Sequence, residues 1–217
     1  MLKRFNLFVV SMLLLMSTAL ASGAEAGINS DTAMQMLADG NKRFVTEKYG
    51  KIHMGKKCRN ELITGQHPFA VIVSCSDSRV PPELIFDEGL GDLFVVRTAG
   101  EVVDDVALGS IEYAVDHLGV KLIVVLGHEE CGAVKAILAG GEVPGHIVAI
   151  AKDIMPAIDQ ARRQNGDLLT NSIKANVDLT VSKLNESEPI VKKAIAKEHV
   201  KIVGAIYELK TGKVVFL

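Results

Sequence analysis

Three continuous apolar runs constrain the fold of this chain more than any other feature of its sequence. Residues 69–73 (FAVIV), 93–96 (LFVV) and 122–126 (LIVVL) contain no polar or charged side chain. Apolar runs of this length are typical of strands that are covered on both faces, as they are in a parallel sheet. We therefore predict that the three runs form buried parallel strands at the centre of the protein.

Helical patterns surround these runs. An amphipathic helix is predicted over 31–47, capped by Ser30 and Asp31, with a possible break at Gly40. Apolar periodicity and Gly or Pro signals predict further helices over 106–118, 131–138, 146–164, 168–185 and after 187–189, and strands over 200–208 and 214–216. This alternation predicts an α/β fold with a mainly parallel central sheet flanked by helices.

The amino terminus has the layout of a secretory signal peptide. Basic residues at 3–4 precede an uncharged stretch over 5–20, and a small-residue Ala-Leu-Ala cleavage site follows. We predict a signal peptide over 1–21, a flexible leader over 22–29 and a single domain over 30–217. An uncleaved signal anchor is the alternative, which the apolar run disfavours because a membrane span prefers about 20 residues.

Cleavage of this predicted signal peptide would give a periplasmic or secreted protein without a stable membrane span. The formal charge of −2 and the absence of Trp give no basis for nucleic acid as a partner. We expect a small-molecule substrate instead. An exported protein meets oxidising conditions, so its thiols need a reason to remain reduced.

Unusual side chains follow two of the predicted strands, where ligands bind in parallel sheets. The first run leads into SCSDSR, which contains Cys75 and Asp77, and the third leads into GHEEC, which contains His128 and Cys131. Two thiolates and one imidazole suit zinc. Three protein ligands leave a fourth position for water or for Asp77, and an open position is typical of a catalytic zinc.

Other readings of these residues remain open on the motif alone. The zinc could be structural, although the one spare cysteine, Cys58, lies in a basic loop. Cys75 and Cys131 could instead form a disulfide. Asp77 and Arg79 could be an ordinary surface ion pair, or the guanidinium could hold the carboxylate ionised and oriented for catalysis.

The two motifs together resemble the β-class carbonic anhydrases. CSDSR begins at Cys75, and HEEC begins 53 positions later at His128. The resemblance extends to the neighbouring segments 40–44 (GNKRF), 79–83 (RVPPE), 94–100 (FVVRTAG) and 109–114 (GSIEYA). It covers nearly all of the predicted mature chain.

The resemblance implies both a fold and a reaction. The fold is a parallel sheet flanked by helices, with an N-terminal helical arm that wraps a partner subunit. The reaction is the reversible hydration of carbon dioxide to bicarbonate and a proton, by attack of zinc-bound hydroxide. One zinc per chain is implied, with Cys75, His128 and Cys131 as ligands. Asp77 and Arg79 match a catalytic dyad. In some members the matching aspartate occupies the fourth zinc position at rest, and in others water does.

The same resemblance implies a shared substrate pocket. Gln66 matches a substrate-pocket glutamine, and Phe94 and Tyr113 match pocket aromatics that are contributed partly across a dimer interface. A homodimer or a dimer of dimers is therefore expected. Carbonyl sulfide or carbon disulfide hydrolysis on the same fold is an alternative function, because both molecules are linear like carbon dioxide. A non-catalytic zinc-binding or sensor protein is another.

Two departures from the family pattern stand out. Glu101 occupies a position where the family often has Asn, and it could lie near the site or face solvent. Ile72 occupies a position where one subset has a Trp that belongs to a regulatory bicarbonate site. Arg97 matches the arginine of that regulatory site.

Overall fold

A five-stranded sheet forms the centre of the computed structural model, which describes residues 28–50 and 52–217. Its strands are β1 (Ala70–Cys75), β2 (Leu93–Thr98), β3 (Leu122–His128), β4 (Lys201–Tyr207) and β5 (Val214–Phe216). The spatial order is β2-β1-β3-β4-β5, and all neighbours are parallel except β4 and β5. This confirms the predicted α/β fold, including the antiparallel edge.

Eight helices surround the sheet in the described part of the chain. They are α1 (Ser30–Val45), α2 (Lys56–Glu61), α3 (Pro82–Ile85), α4 (Asp105–Asp116), α5 (Gly132–Leu138), α6 (Ile147–Ala161), α7 (Leu168–Asn185) and α8 (Ile190–Glu198). Short 3-10 turns lie at Leu62–Thr64 and Ala99–Glu101. Within the described residues, no helix is both long enough and apolar enough to cross a membrane. The predicted signal peptide lies outside the described residues.

The central strands are buried on both faces, as their sequences predict. Every residue of β1 and β3 is buried. Val71 and Val73 face one apolar cluster, whereas Ile72 faces another, because successive side chains of a strand point to opposite faces. β2 departs from the prediction: its residues are only partly buried, since it forms the edge of the sheet in a single chain.

The first helix differs in detail from its prediction. Asn29, not Ser30 or Asp31, caps it: the Asn29 side chain accepts a hydrogen bond from the Thr32 amide at 2.9 Å. The helix also continues unbroken through Gly40, where a Cβ atom would overlap the carbonyl oxygen of Phe86.

The apolar face of α1 packs on its own chain. Ala33 and Leu37 are fully buried in the cluster that contains Ile72 and Phe86. A second subunit is therefore not needed to cover this face.

Candidate metal centre

The three predicted ligands converge at the carboxyl ends of two adjacent strands. Cys75 ends β1, His128 ends β3, and Cys131 directly precedes α5. Their ligand atoms all lie within 4.8 Å of one another, and all three residues are buried. Glu130 has a left-handed backbone (φ 56°), which reverses the chain between the histidine and the second cysteine. Residues 28–50 and 52–217 contain no other such group of three His, Cys, Asp or Glu side chains.

The orientation of His128 leaves one ring nitrogen for a ligand. Its Nδ1 donates to the carbonyl oxygen of Glu129, with 2.8 Å between the two atoms. Nε2 is therefore the unprotonated nitrogen of the neutral ring, and it is buried without a hydrogen-bond partner. A buried polar atom without a partner costs stability, and a metal ion between Nε2 and the two thiols would remove that cost. The donor set and this unpartnered nitrogen fit zinc.

The two thiols of the site influence each other. All three cysteines of the chain are free, so the alternative of a Cys75–Cys131 disulfide is not what the structure shows. The proximity of the Cys131 thiol lowers the pKa of Cys75, and the same proximity raises the pKa of Cys131. The backbone amide of Gly100 also donates to Cys75 Sγ at 3.3 Å. Cys75 is thus prepared to act as a thiolate ligand.

Asp77 lies beside this group and is held by Arg79. Arg79 Nε and Nη2 donate to the two carboxylate oxygens at 2.9 and 2.7 Å, and the Arg79 amide donates to Oδ1 at 2.9 Å. These hydrogen bonds hold the pKa of Asp77 well below its usual range. Asp77 Oδ2 is 3.9 Å from His128 Nε2, which places the carboxylate at the candidate metal centre.

Arg97 has a positioning role that the sequence motif did not reveal. Its Nε donates to the carbonyl oxygen of Cys75 at 3.0 Å, and its Nη2 donates to that of Asp77 at 2.7 Å. One guanidinium therefore holds the backbone at the first ligand and two residues after it. Arg97 pairs with Ser74 across β1 and β2, so strand register could have suggested this contact.

Known proteins are similar to this chain in sequence. A sequence profile described as carbonic anhydrase matches residues 70–214. The chain is 43% identical over 190 residues to a carbonic anhydrase of Mycolicibacterium smegmatis, which covers 86% of this chain and 92% of the relative. The chain belongs to the β-class carbonic anhydrase family. This confirms the family and the carbonic anhydrase assignment that the motifs predict.

Solved β-carbonic anhydrases share the fold. A tetrameric β-carbonic anhydrase from Sordaria macrospora superposes with a TM-score of 0.68 at 27% identity, over 73% of this chain and 85% of that one. A Coccomyxa β-carbonic anhydrase in complex with acetazolamide gives 0.67 at 31% identity, over 73% and 75% of the two chains.

The residues that match the family's substrate pocket lie elsewhere in the single chain. Gln66 and Tyr113 line a separate cavity, and the Phe94 ring packs beside Tyr113 with 6.3 Å between ring centroids. Phe94 pairs with Val71, four residues before Cys75. At about 3.3 Å per residue, roughly 13 Å of strand separates the two levels. The structure therefore does not bring these three residues to the candidate metal centre within one chain.

Glu101, which departs from the family pattern, is buried rather than exposed to solvent. Only 1% of its surface is accessible, and burial raises the pKa of its carboxyl to about 7. Asn176 on α7 donates from Nδ2 to both Glu101 Oε1 and the Gly100 carbonyl oxygen, each at 2.9 Å. The sequence offered no signal for Asn176, because it is one polar residue among several on a long helix.

Proposed function

We propose that this chain hydrates carbon dioxide reversibly to bicarbonate and a proton, using one zinc ion held by Cys75, His128 and Cys131. The observation that carries the proposal is the buried, unpartnered Nε2 of His128, which lies within 4.8 Å of two thiols. The profile match and the 43% identical relative support the reaction. Zinc supplies Lewis acidity, which lowers the pKa of a bound water towards 7.

Each side chain at the site then has a distinct task. Cys75 and Cys131 supply anionic charge to hold the cation, and His128 supplies a neutral nitrogen whose direction is set by the Glu129 carbonyl. Asp77 remains ionised because of Arg79, so it can accept a hydrogen bond from the attacking nucleophile and orient it.

The contacts of Asp77 favour an open fourth metal position. Both carboxylate oxygens already accept hydrogen bonds from Arg79. Asp77 would have to give up part of this bidentate contact to bind a metal ion. We therefore propose that Asp77 in this arrangement orients the nucleophile, and that its role as a fourth ligand requires a rotation away from Arg79.

We also propose that the working protein is a homodimer or a dimer of dimers. Gln66 and Tyr113 line a separate cavity in one chain. A second copy of the chain could bring these residues to the candidate metal centre. The exposed edge strand β2 and the neighbouring surface of α4 support this, since Val106 is 78% exposed and Tyr113 is 46% exposed. Light scattering of the purified protein tests this assembly, and an active monomer would contradict it.

Export through a cleaved signal peptide at 1–21 is a further part of the proposal. It is supported by the basic start, the apolar stretch and the Ala-Leu-Ala site in the sequence. The mass of the protein recovered from the periplasm or the medium tests it. A mass that corresponds to the uncleaved chain, or recovery only from the cytoplasm, would contradict it.

One experiment separates the candidate activities. Stopped-flow measurement of carbon dioxide hydration, with and without a zinc chelator, should show a rate that the chelator abolishes. Parallel assays with carbonyl sulfide and carbon disulfide should show slower turnover. Zinc binding without any hydration would indicate a non-catalytic zinc protein, and faster turnover of the sulfur compounds would indicate a hydrolase.

A further inference from the structure

Glu101 and Asn176 form a buried pair that no step of the proposed reaction uses. Both residues are at most 2% exposed, and they join the 3-10 turn at Ala99–Glu101 to the middle of α7. Two consecutive residues of this turn have left-handed backbones, Gly100 at φ 72° and Glu101 at φ 43°. A left-handed glutamate is unfavourable by itself, so other contacts must maintain the turn.

The turn connects directly to the first metal-ligand candidate. The Gly100 amide donates to Cys75 Sγ, while the Gly100 carbonyl accepts from Asn176 Nδ2. The opposite side of Gly100 is closely packed, because a Cβ atom there would lie 2.6 Å from Ile154 Cδ1. The peptide before and the peptide after Gly100 are therefore both held in place.

We propose that Glu101 is a positioning residue for the metal centre: with Asn176 it fixes the turn so that the Gly100 N–H points at Cys75 Sγ. This inference rests on the proposed zinc site. A hydrogen bond to a ligating sulfur disperses its negative charge and fixes its direction, and such outer contacts support metal retention. Glu101 itself touches neither zinc nor substrate in this role.

Zinc release tests the proposal without relying on hydration activity. The zinc-loaded protein is mixed with excess chelator, and the release rate is compared among variants. Glu101→Ala, which removes the acceptor, should release zinc about 10- to 100-fold faster than the unmodified protein. Glu101→Gln keeps an oxygen acceptor for Asn176 and should remain within about threefold. Asn176→Ala should release zinc as fast as Glu101→Ala. This second variant tests the proposal even if Glu101→Ala does not fold.

Thr180→Ala is the matched control, because Thr180 is also a buried polar residue on α7. It should release zinc at the unmodified rate. In cobalt-substituted protein, Glu101→Ala should move the sulfur-to-cobalt charge-transfer band to lower energy, since the sulfur loses a hydrogen bond. Glu101→Gln and Thr180→Ala should leave the band in place.

Several outcomes would overturn the positioning role. These are an unmodified release rate and band position in Glu101→Ala, equal acceleration by Thr180→Ala, or failure of Glu101→Gln to retain zinc. Absence of zinc from the unmodified protein would contradict the proposed function instead, so the two failures are distinguishable.

Discussion

At the carboxyl ends of β1 and β3, Cys75, His128 and Cys131 meet within a single chain, whereas Gln66 and Tyr113 line a cavity some distance away on the same chain. The first region is buried, and the hydrogen bonds that orient Cys75, His128 and Asp77 are present within one chain. The second is open to solvent, with Tyr113 nearly half exposed.

This difference shows which part of the activity one chain can encode alone. Metal binding needs donor atoms within a few ångströms, and the adjacent strands β1 and β3 bring them to the same edge of the sheet. The residues proposed for the substrate pocket lie at another level of the sheet, and a rigid strand cannot bring them to its own carboxyl end. Zinc binding should therefore survive changes that abolish the assembly of the pocket.

The largest effect is expected from the ligands themselves. Cys75→Ala, His128→Ala and Cys131→Ala each remove a donor from the only group of its kind in the described ranges. Each variant should lose both zinc and hydration activity, as measured by elemental analysis and stopped-flow assay. If His128→Ala retains one zinc per chain, the ligand set is wrong.

A smaller loss is expected from the dyad that lies beside the ligands. Asp77→Asn should retain zinc while the hydration rate falls by about 100-fold, because an amide orients the nucleophile poorly. Arg79→Ala should have a similar effect, since it frees the carboxylate. If both variants retain zinc and hydrate carbon dioxide at near-normal rates, Asp77 and Arg79 are only an ordinary surface ion pair.

Mixed dimers test the comparison of the two regions most directly. A His128→Ala chain and a Gln66→Ala chain, carrying different tags, are coexpressed, and the mixed species is purified. If Gln66 acts across the interface, one of the two sites is complete, and the rate should be about half that of the unmodified dimer.

The two homodimers provide the controls for this experiment. The His128→Ala dimer should be inactive, and the Gln66→Ala dimer should retain about a tenth of the activity or less. A mixed dimer no more active than a single Gln66→Ala site would show that Gln66 acts within its own chain.

The hydration rate should rise several-fold between about pH 6.5 and about pH 9. Arg79 keeps the pKa of Asp77 well below this range, so Asp77 is ionised throughout and contributes no step of its own. The rise therefore follows deprotonation of the attacking water. A hydration rate that stays constant over this pH range in stopped-flow measurements would contradict this account of the candidate metal centre.

The smallest expected effect concerns Glu101 and the stability of the fold. Burial raises the pKa of this carboxyl to about 7, so between its ordinary pKa and 7 the folded state holds a proton that the unfolded state releases. Stability should therefore fall as pH rises through this window. Relative to the unmodified protein, Glu101→Gln should gain roughly 1–2 kcal/mol between pH 5 and pH 8 in urea unfolding. An equal difference at both pH values would contradict the raised pKa.

Much of the fold and of the candidate metal centre could be predicted from local patterns in the sequence. The apolar runs identify β1 and β3 because a strand covered on both faces has no room for polar side chains. The second run locates β2 as well, although this strand is only partly buried. Cys75, His128 and Cys131 follow those strands, and donor chemistry indicates zinc wherever such residues meet. Parallel strands end at the same edge, so proximity followed from the fold class.

The remaining features were decided by contacts between segments that are distant in the sequence. Gly40 reads as a helix break, yet it permits the close approach of Phe86, 46 positions later. The sequence left open whether Glu101 faces solvent or lies near the site, and only its contact with Asn176 on α7 explains its burial. Arg97 acts through two carbonyl oxygens, one at the end of the neighbouring strand and one just after it, and no motif indicates these contacts. Such contacts depend on how helices and turns pack around the sheet. This packing cannot be predicted from the chemistry of neighbouring residues in the sequence.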